Sequence, residues 1–212
     1  MRTASLVASL FLVACGGGES RPDASIIVQP DAPLDAPKPC GATATYGTVT
    51  PMDEIASRDL DANPTEIYYD AAMNTDPKFD DLSIQLFKGL GAYTTGELVP
   101  GVVALSGPET NYETCGACVL IYVDLDPANE FMDDGVYMAS GGTINLTTLT
   151  PNIKGTLSNV QFTHVTIDPD TFRSTPVGDC TSTMTSMAFD FPVTTDTGMA
   201  FSSAAKHRQR KH

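Results

Sequence analysis

The apolar runs of this chain are short, many of them alternate with polar residues, and turn residues punctuate them. That pattern constrains the fold more than any other feature. Leu82, Ile84 and Leu86 are separated by Ser83 and Gln85, and Met187, Phe189 and Phe191 by Ala188 and Asp190. Both are period-two patterns that place one apolar face on a core. Between them lies Val102–Leu105, and then Val119–Val123, which is apolar on both parities and reads as a central strand covered on both faces. Residues 135–140 and 143–148 flank Gly141-Gly142, a pair that accepts positive φ and predicts a two-residue hairpin. Pro151-Asn152 predicts the next turn. From Gly155 to Ile167 a long strand follows, and its apolar parity switches between Leu157 and Val160, predicting a bulge near Ser158-Asn159. Thr50-Pro51-Met52-Asp53 has the form of a helix start, with a cap, a first-turn proline and an acid at the third helical position. No longer helical pattern occurs. The expectation is an all-β domain over residues 40–201, an antiparallel β-sandwich or jelly-roll-like fold, large enough to bury a substantial core.

The flanking segments differ in composition. Residues 1–14 carry a basic start and an apolar stretch from Ala4 to Val13, which is too short to span a bilayer and suits a secretion signal. The stretch ends in Leu12-Val13-Ala14-Cys15, a lipobox pattern that predicts a lipid on Cys15. Two or more acyl chains there would anchor the protein stably to a membrane. Residues 15–39 contain the repeated Pro22-Asp23-Ala24 and Pro30-Asp31-Ala32. Few apolar residues accompany them, so the expectation is a disordered, semi-rigid tether biased toward polyproline II. Residues 202–212 include Lys206, Arg208, Arg210 and Lys211 and read as a disordered basic tail.

An odd number of cysteines in an exported chain flags a special thiol. Lipidation removes Cys15 from the five and leaves Cys40, Cys115, Cys118 and Cys180. The preferred pairing is Cys115–Cys118 with Cys40–Cys180; two other pairings stay open. Cys115-Gly-Ala-Cys118 also has the spacing of a redox dithiol. That chemistry wants a helix N-terminus, and here the motif runs straight into a strand. A zinc knuckle would need a second paired spacing, which Cys40 and Cys180 lack.

Charge and motif content exclude several activities. Between Cys15 and Ala205 seven basic residues face all 26 acids, leaving −19, a balance that repels nucleic acid. G-x-S-x-G, H-E-x-x-H, phosphate-loop and dinucleotide motifs are absent. Of three histidines, His207 and His212 fall in the tail. His164 sits mid-strand, where an exposed or hydrogen-bonded role is expected. The segment Asp124–Gly135 gathers Asp124, Asp126, Glu130, Asp133 and Asp134, a candidate calcium loop. Asp59-Leu-Asp61-Ala-Asn63 begins like an EF-hand loop, but Pro64 occupies the place of the required glycine.

These residues resemble a known group. The lipobox, the glycine run and the Pro-Asp-Ala tether, with Ile67–Asn74, Asp81–Phe87, Asn111–Val119 and Gly155–Val160, resemble exported lipoproteins of myxobacteria. The resemblance implies an uncharacterised family and brings no activity with it. Gly16 is not the aspartate that retains lipoproteins at the inner membrane, so the outer membrane is expected. The function expected is a non-enzymatic binding or structural module whose ligand is an envelope glycan, a protein or an ion. The alternative is a secreted hydrolase working through paired carboxylates on sandwich loops.

Overall fold

In the computed structural model, residues 40–59, 66–129 and 133–196 are described. The signal, Cys15, the tether, Glu130, most of the Asp59–Asn63 loop and the basic tail lie outside them. Ten strands form one mixed sheet: β1 (Thr48–Val49), β2 (Met52–Asp59), β3 (Glu66–Ala72), β4 (Phe79–Phe87), β5 (Gly101–Ala104), β6 (Ala117–Leu125), β7 (Gly135–Thr148), β8 (Asn152–Ile167), β9 (Ser174–Pro192) and β10 (Thr194–Asp196). Helical structure among the described residues is limited to three single-turn 3₁₀ segments. The all-β expectation holds.

The strands follow the order β1-β9-β8-β7-β6-β4-β3-β2-β10, with β5 paired to β7. Only Thr50-Pro51 separates β1 from β2, and only Val193 separates β9 from β10. Both ends of the order are therefore the same two chain segments, running side by side, and the sheet returns on itself. The interior pairs are antiparallel as expected, whereas the seam is parallel. Along it Thr48 lies opposite Ser186 and Val49 opposite Met187, and further on Ser57 lies opposite Thr194, one residue out of step. Between those two ladders β2 carries a register shift from Met52 to Ile55, with Asp53 at φ 48°. The rings of Tyr69 and Phe189 pack at 5.0 Å and join the two sides of this interruption.

Alternation accounts for the interior. Tyr69 and Ala71 of β3, Leu82, Ile84 and Leu86 of β4, Val119 and Ile121 of β6, Leu157 and Phe162 of β8 and Met187 and Phe189 of β9 share one buried cluster. The opposite face of the same central strands is also dry. There Tyr68, Phe87, Leu120, Tyr122 and Met138 pack with Tyr112, Cys115 and Cys118, partly under residues 105–116. β6 is accordingly buried on both faces, as its double-parity apolar run predicts.

Two local expectations are overturned. Gly141-Gly142 makes no hairpin: β7 runs unbroken from Gly135 to Thr148. The glycines instead bend it, so that it pairs with β6 before the bend and with β5 after it. Gly142 takes φ +101°, and a Cβ there would lie 2.6 Å from the Asn159 carbonyl oxygen. A hairpin turn and a bulge ask for the same residue, and the uninterrupted ladder to β8 selects the bulge. The bulge expected in β8 is present, with Asn159 at φ 50° and a register shift opposite Gly141 to Thr143. The second correction concerns Thr50–Asp53, which start no helix. Met52 enters β2, and pairing on a sheet overrides a four-residue capping signal.

Candidate functional site

The four body cysteines form the disulfides Cys40–Cys180 and Cys115–Cys118. Cys115 and Cys118 are fully buried, and the second of them lies in β6 rather than on a helix. A dithiol of that kind has neither the access nor the dipole that redox exchange requires. Glu109 secures the same region. Its carboxylate is 2% exposed and accepts hydrogen bonds from the backbone N–H groups of Ala92 (2.6 Å), Gly116 (2.9 Å) and Ala117 (2.6 Å). Any side chain on Gly91 would overlap Glu109, and one on Gly116 would overlap the Leu90 carbonyl, so close approach requires glycine at both positions. Burial, and then Glu109, push the Tyr93 hydroxyl up to about 12. This carboxylate ties backbone together and faces no open cleft.

The structure gives Asp124 and Asp126 of the candidate calcium loop separate partners. Asp124 takes φ 52°, and its N–H donates to Asp80 Oδ1 at 3.1 Å. Burial raises its carboxyl, followed by the charges of Asp80 and Asp134. Asp126 pairs with Lys78 at 3.5 Å and accepts from the Ala128 N–H at 2.9 Å. Asp133 acts electrostatically on Tyr122. Glu130 lies outside the described residues. Among the described residues no three acids, histidines or cysteines are arranged to hold a metal ion.

One pair of carboxylates lies on strands. Asp70 of β3 lies opposite Ser83 and Asp81 of β4 opposite Ala72, so the two acids are diagonal neighbours on one face. They are 8% and 5% exposed, which closes them to a substrate. Burial raises the Asp81 carboxyl well above its usual range, and the nearby Asp70 charge adds to the effect. Tyr122, opposite Asp81 on β6, is likewise raised, first by burial and then by its charged neighbours. Beside the pair, Gln85 donates to Ser83 Oγ at 3.0 Å and accepts from the Tyr112 hydroxyl at 2.7 Å. Asp80 accepts from the Tyr46 hydroxyl at 2.8 Å. Ser83 and Gln85 do face away from Leu82, and that side is covered by protein, with Tyr112 over Gln85.

An open groove of about 520 Å³ follows the parallel seam. Thr48, Val49, Thr50, Pro51, Thr156, Leu157, Ser158, Ser186, Met187 and Ala188 line it, and none of them titrates. It can offer hydroxyls and apolar contact, but no acid or base. His164 stacks on Tyr137 at 5.0 Å and 17°. No family model, curated protein or solved structure matches this chain.

Proposed function

We propose that this protein is a lipid-anchored binding module of the cell envelope, held at the outer membrane through Cys15 and displaying a disulfide-stapled β-domain on a Pro-Asp-Ala tether. The reading keeps the resemblance to myxobacterial lipoproteins, which rests on the lipobox, the tether and the Cys-Gly-Ala-Cys segment. One observation carries the choice of binding over catalysis: the Asp70–Asp81 pair is sealed, while the accessible seam groove has no titratable side chain. Acid–base hydrolysis needs a proton donor and acceptor at the substrate. A hydroxyl-lined groove can only recognise.

The test uses the full-length protein in its own envelope. Wild type should fractionate with membranes, and Cys15→Ala should move to the soluble exported fraction with its fold intact. Recovery of Cys15→Ala in the membrane fraction at wild-type levels would overturn the anchor. Hydrolysis of envelope glycan that is abolished by Asp70→Asn or Asp81→Asn would overturn the non-catalytic reading.

A further inference from the structure

The chain holds 26 acids, yet four adjacent strands are nearly free of them. Asp179 and Asp190 are the only acids on β1, β7, β8 and β9 together. Thr143 of β7 lies opposite Ser158 of β8, Ser158 opposite Ser186 of β9, and Ser186 opposite Thr48 of β1. Directly opposed residues share a face, so four hydroxyls form one row across four strands. By the same registers Asn145, Thr156 and Ala188 form a second row beside it. The intervening Ile144, Leu157, Met187 and Val49 belong to the inner cluster, which sets both rows on the outside. At the next outward position Lys154 lies opposite Asp190, and the two pair at 2.9 Å and cancel each other. The face is neutral on a strongly acidic chain.

The seam groove opens on this face. Thr48, Ser158 and Ser186 of the first row and Thr156 and Ala188 of the second line it. Its volume of about 520 Å³ falls within the range of about 300–1,000 Å³ that small-ligand sites occupy. A hydroxyl both donates and accepts, as Thr48 and Ser186 show by bonding to each other at 3.2 Å. The complement of such a row is another array of hydroxyls. Charge narrows the class further. Acids elsewhere on the chain repel a polyanion, and the cation beside the rows, Lys154, is taken by Asp190. Among the described residues no aromatic ring lines the groove, so sugars would be held by hydrogen bonds and not by stacking. Affinity must then accumulate along a polymer.

We propose that the outer face of β1, β9, β8 and β7 binds a neutral polysaccharide, with the seam groove seating part of its chain. The proposal rests on the reading of that groove as a binding and not a catalytic site, and it names the ligand class.

Affinity electrophoresis of the full-length protein in neutral detergent tests it, in native gels cast with dextran, with a soluble β-1,3-glucan or with polygalacturonate. Retardation is expected in at least one of the two neutral polymers and not in polygalacturonate. Thr156→Glu puts a charge into the second row, and Ala188→Trp fills the groove wall without one. Each should weaken the retardation about tenfold or more, with unchanged circular dichroism, because both positions are exposed. Unchanged mobility in both neutral polymers, equal or greater retardation by polygalacturonate, or retardation unaltered by the two variants would overturn the proposal and leave the non-catalytic reading standing. Shortening of a neutral polymer by the protein would overturn that reading and the proposal with it.

Discussion

β3, β4 and β6 are dry on both faces, yet the two faces are built differently. The inner face is aliphatic and aromatic over most of its length, from Ile67 and Tyr69 to Leu82, Ile84, Val119 and Ile121, with the buried Asp80 at one end. The outer face buries Asp70, Asp81, Ser83 and Gln85 among Tyr68, Tyr112 and Tyr122, and Glu109 fastens the segment that covers part of it. Apolar packing needs only volume and pattern, whereas a buried polar layer must satisfy each donor and acceptor. The inner face thus specifies that a sheet forms, and the outer face fixes where its covering segment sits.

The largest effect should come from the longer of the two staples. Cys40–Cys180 spans 140 residues, and in the chain-entropy model its loss in Cys40→Ser/Cys180→Ser costs about 5 kcal/mol. Cys115–Cys118, with a separation of 3, should cost about 2 kcal/mol by the same relation. Urea unfolding of the two double variants checks the ranking. Equal losses would remove chain entropy as the explanation.

The faces themselves can be compared next. Ile121→Ala deletes inner-face volume and should cost about 2–5 kcal/mol. Glu109→Ala strands buried backbone donors and should cost about 3 kcal/mol, while Glu109→Gln, which keeps acceptor capacity at one oxygen, should cost less. Hydrogen exchange separates the two mechanisms. Glu109→Ala should expose the amides of Ala92, Gly116 and Ala117 without opening β8, and general loss of protection would show that the outer face is no separate unit.

pH gives a smaller test. The raised Asp81 carboxyl stays protonated in the folded chain at a pH where the unfolded chain has released its proton. Its contribution is therefore full below the ordinary value of 3.8 and is lost as pH rises through the folded value. The difference between the melting temperatures of Asp81→Asn and wild type should grow, in favour of the variant, from pH 4 to pH 8. A pH-independent difference would contradict the buried pair. Least of all should Asp190→Asn matter. Hydrogen bonds from Asn152 and then Lys154 lower that carboxyl, so its contribution disappears as pH falls, but the group is fully exposed and well screened.

Sequence made the inner face legible and the outer face illegible for one reason. Leu82, Ile84 and Leu86 announce a buried face by alternation, but Ser83 and Gln85 look the same whether water or Tyr112 covers them. Glu109 reads as one more surface acid until three backbone donors converge on it. The double-parity run Val119–Val123 was the signal that a second layer existed. It marked β6 and left the neighbouring polar residues unmarked. Asp124, Asp126, Glu130, Asp133 and Asp134 looked like one site because they are close in sequence, but the Asp124 N–H turns to Asp80 and Asp126 pairs with Lys78.

Anchorage decides whether the stapled β-domain is a displayed module at all, and intact mass of the native protein measures it directly. The expected chain begins at Cys15 and carries the added mass of acyl groups, with the remaining four cysteines oxidised. A chain that still begins at Met1, or one with an unmodified thiol at Cys15, would contradict it.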